Sequence, residues 1–309
     1  GDGTTTNRNS PVSVSGITGA TQVDAGYYSS CALLSNGTVK CWGTKGVYGF
    51  LGDGNLGIKT SPVSVSGLSS VSEVDAYNHT CVVAGGAVKC WGDNDYGELG
   101  DGSTTNRSTP VSVSGISSAT QISVSAGGGN HSCARLSGGT IKCWGYGGHG
   151  ELGNGSTSNS STPVTVSGIS SASQVIAGST HTCAILSNGT MKCWGNPDIS
   201  GRLGDGTVDA HAPVTVIEVS NAVEISLGVS HACARISDGT VKCWGYIIKG
   251  DGTWNYINAT PAQITGISGA VQLRQGYSGS CATISDGSLK CWGRGYNNNL
   301  GLGHTDGST

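Results

Sequence analysis

Six times in 309 residues the chain returns to a short cysteine-flanked segment ending in Lys-Cys-Trp-Gly, first seen as Ser30–Gly43. In these segments Cys31 is matched by Cys41, Cys81 by Cys90, Cys133 by Cys143, Cys183 by Cys193, Cys233 by Cys243 and Cys281 by Cys291. Successive first cysteines lie 50, 52, 50, 50 and 48 residues apart. A fixed period of this length is the mark of a propeller blade or a similar stacked repeat.

Within each copy the spacing sets a hairpin register. Asn36-Gly37 is a strong turn signal between two apolar runs. With Ser35–Gly37 as the loop, and Gly37 at positive φ, Leu33 faces Val39, Ala32 faces Lys40 and Cys31 faces Cys41. The second copy has one residue fewer between its cysteines and a two-residue Gly85-Gly86 loop, so Cys81 again faces Cys90. Directly opposed residues in a non-hydrogen-bonded pair are within disulfide reach. Six disulfides, one inside each hairpin, are therefore expected. The competing zinc reading needs two short cysteine knuckles or Cys/His sets, and that spacing does not occur.

Composition narrows the class. Charged residues make up 11% of the chain, with 53 Gly, one Phe and one Met. This suits short strands and many turns rather than long helices. The net charge is −3 without a basic run, so a nucleic-acid partner is not expected. Nor is membrane insertion, since no stretch approaches the roughly 20 apolar residues of a spanning helix. Evenly paired cysteines point to an oxidising compartment, extracellular or at the cell surface. Because the chain begins at Gly1 inside a repeat motif, it is expected to be a processed product or a fragment.

Each unit reads as four segments: a short strand such as 21–25, the two cysteine strands, a variable loop ending near Leu-Gly-Asp-Gly, and a strand opened by proline (Pro62, Pro110, Pro163, Pro213, Pro261). Residues 1–17 match the end of such a unit, whereas the last unit runs out after Leu300–His304. The expected architecture is thus all-β: a single domain over 1–309, six four-stranded blades of about 50 residues. Its ring would be closed by the N-terminal strand, Pro11–Val14, completing the C-terminal blade, so that no long edge stays unpaired.

The run His-Thr-Cys-Ala-x-Leu-Ser-x-Gly-Thr-x-Lys-Cys-Trp-Gly, then x-Gly-x-Leu-Gly-Asp-Gly and Thr-Pro-Val-x-Val-x-Gly, resembles the repeat of the regulator of chromosome condensation family. The best copies are His131–Gly168 and His181–Val216. The resemblance covers essentially the whole chain. It implies a β-propeller with one blade per repeat, six here against seven in well-known members. The paired cysteines look like those of the family's extracellular variants. Exchange activity on a nuclear GTPase fits poorly with an oxidising compartment, and family membership alone fixes no function.

No nucleophile elbow, zinc-protease helix motif or phosphate loop occurs, so neither catalysis nor a cofactor is expected. His79, His131, His181 and His231 share one repeat position, read as structural hydrogen bonding rather than a metal ring. The motif tryptophans are read as packing between blades. The motif lysines (Lys40, Lys89, Lys142, Lys192, Lys242, Lys290) are read as laid along neighbouring blades with their heads in water. The segments after Trp-Gly vary most and hold Tyr48, Tyr96, Tyr146, His149, Tyr246 and Tyr296, a composition suited to adaptable recognition loops. Trp254 and Tyr256, placed in a polar loop, complete the candidate binding face. The expected function is non-catalytic recognition of a protein or glycan, or scaffolding. A self-associating filament or coat subunit and an inhibitor of an extracellular enzyme are the alternatives.

Overall fold

The computed structural model describes residues 1–43, 49–196, 201–206, 210–248, 254–276 and 279–293. Among them there are 23 strands and no helix. They form six antiparallel sheets, one per repeat, which are the blades of a β-propeller. The first blade shows the plan: β1 (Ala20–Ala25), β2 (Ser29–Leu34), β3 (Val39–Gly43) and β4 (Lys59–Ser64) lie side by side in chain order. Four further blades repeat it, and the last sheet has three strands among the described residues, Ala270–Gln275, Gly279–Ile284 and Leu289–Gly293.

The hairpin register is the one the spacing dictates. Cys31 pairs with Cys41, Ala32 with Lys40 and Leu33 with Val39. The shortened copy pairs Cys81 with Cys90 and closes on Ala84 and Ala87. All six expected disulfides are formed. Cys31 is bonded to Cys41, Cys81 to Cys90 and Cys133 to Cys143. Cys183 is bonded to Cys193, Cys233 to Cys243 and Cys281 to Cys291. Their Cα atoms are 4.0–4.1 Å apart, the close approach of a non-hydrogen-bonded pair. The prolines differ from expectation: Pro62 and Pro110 are the fourth residues of Lys59–Ser64 and Arg107–Ser112, not the first. Both strands pair on one side only, so a residue without an N–H is tolerated well inside them.

The chain falls into two compact units, residues 1–137 with 142–146 and 158–164, and residues 138–141 and 147–157 with 165–309. In each, the core lies between successive blades. In the first unit, Cys31, Leu33, Val39 and Cys41 pack on Val71, Val74, Val82 and Trp91 of the next blade. In the second, Cys183, Ile185, Met191 and Cys193 pack on Ala222, Ile225, Ala234 and Trp244. Inner strands are also stitched by side chains reaching the next strand's backbone. Gln22 accepts from Val74 N at 3.1 Å and donates to Val74 O at 2.7 Å. Asp24 accepts from Ala76 N, Glu73 from Ile122 N and Asp75 from Val124 N.

Residues 1–17 are held at both ends, through their first three residues and through Gly16 O, which accepts from Lys40 Nζ at 3.0 Å. Gly3 N donates to Thr60 O as Gly54 N does to Ser108 O, and Ser15 N donates to Gly1 O as Ser66 N does to Gly52 O. Gly1 lies against the Trp42 indole as Gly52 lies against Trp91. The segment thus acts as the loop of a preceding blade. Residues 11–14 carry no ladder among the described residues, and Val23 is 67% exposed where its equivalents Val74 and Leu273 are wholly buried.

Candidate functional site

In a four-stranded antiparallel blade, the connection between the first and second strands and that between the third and fourth emerge at the same end. The two-to-three turn and the link to the next blade emerge at the other. In the first unit, residues 26–28, 77–78, 93–106 and 146 belong to the first end. Its aromatic side chains are the candidate site, and backbone-directed bonds hold the loops that carry them.

Each loop is held by the following blade. Trp91 Nε1 donates to Phe50 O at 3.0 Å, Trp144 to Glu98 O at 2.7 Å, Trp194 to Glu151 O at 2.8 Å and Trp244 to Arg202 O at 2.8 Å. The Leu that follows each carbonyl is buried: Leu51, Leu99, Leu152 and Leu203. The Gly after that sits on the indole face. A Cβ on Gly100 would lie 2.8 Å from Trp144 Nε1, and its φ of 66° disfavours any other residue. The x-Leu-Gly run is therefore a clasp for the next blade's tryptophan. The Asp-Gly that follows closes it as an Asx turn: Asp101 accepts from Ser103 N at 2.9 Å and pairs with Arg107 at 3.0 Å.

The histidines belong to the same framework. Ser132 donates its single proton to Glu98 O at 3.2 Å, so His79 Nε2 is the donor in the 2.6 Å bond to Ser132 Oγ. His231 Nε2 meets Gln275 Oε1, and Ser280 also donates to that oxygen, at 2.6 Å. Burial pushes His79 and His131 down to about 3, so both rings are neutral at physiological pH. Among the described residues no three His, Cys, Asp or Glu side chains gather as a metal site. The motif lysines are fixed more firmly than expected: Lys40, Lys89, Lys142 and Lys290 donate to Gly16 O, Gly67 O, Gly115 O and Gly266 O at 2.8–3.4 Å. Lys242 donates likewise to Glu218 O, 2.5 Å away.

These groups give stability a signed pH dependence. The unfolded chain protonates its histidines near the ordinary 6.5, the folded one only near 3. Their contribution is therefore lost as pH falls from about 6.5 towards 3. Glu73 and Glu98, pushed up to about 7 chiefly by burial, act in the opposite sense. Their contribution is full below the ordinary 4.5 and is lost as pH rises through 7. The two trends oppose between 4.5 and 6.5; below 4.5 the two glutamates are protonated in both states and no longer offset the histidines. Denaturant midpoints measured from pH 3 to 8 should show a His79→Gln variant losing less stability than the parent below pH 4.5. An unchanged acid limb would place the proton uptake elsewhere.

The structure places the candidate residues unevenly. Tyr96 is exposed and its ring meets Tyr146 edge-on, with centroids 5.2 Å apart. Tyr246 and His149 are exposed as well. Tyr48 and Tyr296 lie outside the described residues. Trp254 and Tyr256 correct the sequence reading: they belong to a strand, Trp254–Gln263, not a polar loop. There the hairpin is prolonged, pairing Trp254 with Ile248 and Asn255 with Ile247. What sequence reasoning missed is the other connection. Tyr27 and Tyr28 stand 61% and 48% exposed. Tyr27 meets Tyr28 at 4.4 Å and Tyr77 at 5.9 Å, and Tyr28 stacks on Phe50 at 6.1 Å. The available signal was Gly26-Tyr27-Tyr28, standing where other copies read Gly178-Ser179-Thr180 or Gly228-Val229-Ser230.

Fold and site together define a disulfide-braced propeller whose loops are clasped at their backbone and present aromatic side chains at one end. Residues 85–135 and 139–185 match the family model for the regulator of chromosome condensation (RCC1) repeat, and 20–49, 121–151 and 173–198 match a second model of the same description. The chain is a six-bladed, cysteine-paired propeller of regulator of chromosome condensation repeats. Among solved structures it is similar to human WBSCR16, with 21% identity and a TM-score of 0.79 over 93% of this chain and 80% of that one. It is similar to yeast RCC1 (Prp20), solved bound to Kap60, at 20% identity and TM-score 0.77 over 93% and 72%. The ectodomain of the Arabidopsis thaliana receptor kinase ACR4 aligns at 19% identity and TM-score 0.57, over 89% and 80%.

Proposed function

We propose that this chain is a non-catalytic protein-recognition module working in an oxidising, extracellular or cell-surface setting. It binds through the blade end that carries Tyr27, Tyr28 and Tyr96. The observation behind this is the exposure of those rings, Tyr96 on a clasped loop and Tyr27 and Tyr28 on a short hairpin connection. There Tyr27 and Tyr28 pack on each other, on Tyr77 and on Phe50, and ordered aromatic side chains bind at low entropic cost. Six disulfides and no free cysteine among the described residues support the compartment. Propellers of this fold have protein partners elsewhere: yeast RCC1 is solved with Kap60, and Prp20p has been characterised for its binding to Gsp1p and histones.

The test is a photo-crosslinking amino acid placed at Tyr28, with a second at Asn36 in the turn at the opposite end. Incubated with secreted and surface proteins of the source organism, the position-28 protein should yield discrete adducts that the position-36 protein lacks. Adducts from position 36 alone, or from neither, would remove this face as the binding surface.

A further inference from the structure

The tyrosine-bearing end is acidic in a particular way. Elsewhere on these loops aspartates have cations beside them: Asp2 pairs with Arg8 at 2.6 Å, Asp53 with Lys59 at 3.7 Å and Asp101 with Arg107 at 3.0 Å. Asp93 and Asp95 have none among the described residues. Asp93 Oδ1 accepts instead from Asp95 N at 3.4 Å, and Asp95 takes only the Asn106 amide, at 3.3 Å. The two carboxylates adjoin the aromatic cluster, because Asp93 N donates to Asn78 O, next to Tyr77, and Tyr96 follows Asp95 directly. The loop cannot fold away from this arrangement easily. Buried Asn94 ties it internally, donating to Ser103 O at 3.1 Å and Thr105 O at 3.0 Å and accepting from Leu99 N at 2.9 Å.

We propose that this surface, Tyr27, Tyr28, Tyr77 and Tyr96 with Asp93 and Asp95, binds an arginine-bearing segment of the partner protein. The inference deepens the recognition reading above and rests on it. The exposed rings of Tyr27, Tyr28 and Tyr96, with half-buried Tyr77 behind Tyr27, attract a cation through their faces, and guanidinium does so best because it is planar and weakly hydrated. A carboxylate pair beside the rings supplies the complementary acceptors, with the fork geometry that arginine matches and lysine does not. Two adjacent like charges without a counter-ion repel each other, and a cationic ligand relieves that repulsion. The same strain appears on Asp93, whose carboxyl is held above its usual range by burial and by the neighbouring Asp95.

The test uses the intact, oxidised chain and a blocked heptapeptide carrying two arginines, with its citrulline counterpart as the neutral control. Calorimetry at low and physiological salt should give saturable binding of the arginine peptide, weaker at higher salt. The citrulline peptide should bind about tenfold less tightly, a difference of the size expected for losing charge at a cation–aromatic site. The double variants Asp93→Asn with Asp95→Asn, and Tyr27→Ala with Tyr28→Ala, should weaken the arginine peptide by a similar factor. Both should keep the parent's melting temperature and all six disulfides. Equal binding of the two peptides, or binding untouched by either variant, overturns the proposal, as does capture of neutral oligosaccharides at the tyrosines irrespective of Asp93 and Asp95. If position-28 adducts form while the arginine dependence fails, only this inference falls. If no adducts form at all, the face itself is wrong.

Discussion

Replacing Trp144 with alanine is expected to lower the unfolding free energy by about 3–5 kcal/mol, the range for truncating a fully buried large aromatic side chain. Its indole is wholly buried, packs beside the Cys81–Cys90 disulfide and Leu99, and gives Glu98 O one of that carbonyl's two hydrogen bonds. Trp144→Phe loses the N–H, a bond contributing about 0.5–1.5 kcal/mol, and part of the buried ring, so its loss should be real but smaller than that of Trp144→Ala. Trp42 holds the same repeat position but is partly exposed, with Gly1 against its indole. Trp42→Ala should therefore cost clearly less. Urea titrations of the three variants give the ranking directly. Equal losses for Trp144→Ala and Trp42→Ala would mean that the blade junctions do not carry the stability.

Reduction of the disulfides should have the larger effect. Each closes a hairpin over a sequence separation of 9 or 10 residues, for which the chain-entropy relation gives roughly 2–3 kcal/mol. Six of them together reach the whole net stability of an ordinary domain, about 5–15 kcal/mol. The fully reduced chain is expected to be unfolded at 37 °C, with its β-sheet circular dichroism lost. Reduction should also have an order. Cys281 and Cys291 are partly accessible, whereas the other five pairs, Cys133 with Cys143 and Cys233 with Cys243 among them, are completely buried. Under mild dithiothreitol, alkylation and mass spectrometry should find Cys281 and Cys291 labelled first. Simultaneous labelling of all twelve cysteines would show instead that global unfolding precedes any reduction.

Much of the fold could be read from residue spacing because the repeat measures itself. The one-residue deletion between Cys81 and Cys90 had to be absorbed in the Gly85-Gly86 turn if the sulfurs were to stay opposed, and it is. The clasp was less legible. Leu-Gly-Asp-Gly announces a turn, but its grip on a tryptophan some 40 residues later, as from Glu98 to Trp144, runs through a carbonyl that has no signature in the sequence. The inner-strand stitches were hidden for a related reason. Gln22, Glu73 and Gln174 look like ordinary polar positions until the next strand's N–H is seen opposite them. At the proposed recognition end, the longest variable loops are the conspicuous feature of the sequence, whereas Tyr27 and Tyr28 sit in the three-residue connection 26–28. Exposure, not variability, singles those rings out.

The tryptophan clasp has one more consequence. Its acceptors belong to Phe50, Glu98, Glu151 and Arg202, three unrelated residue types, because an indole N–H senses only the amide oxygen and is indifferent to what hangs from the α-carbon. Assembly is thereby insulated from whatever the neighbouring positions are selected to touch. A lineage can rewrite its contact chemistry copy by copy while the wheel underneath stays the same.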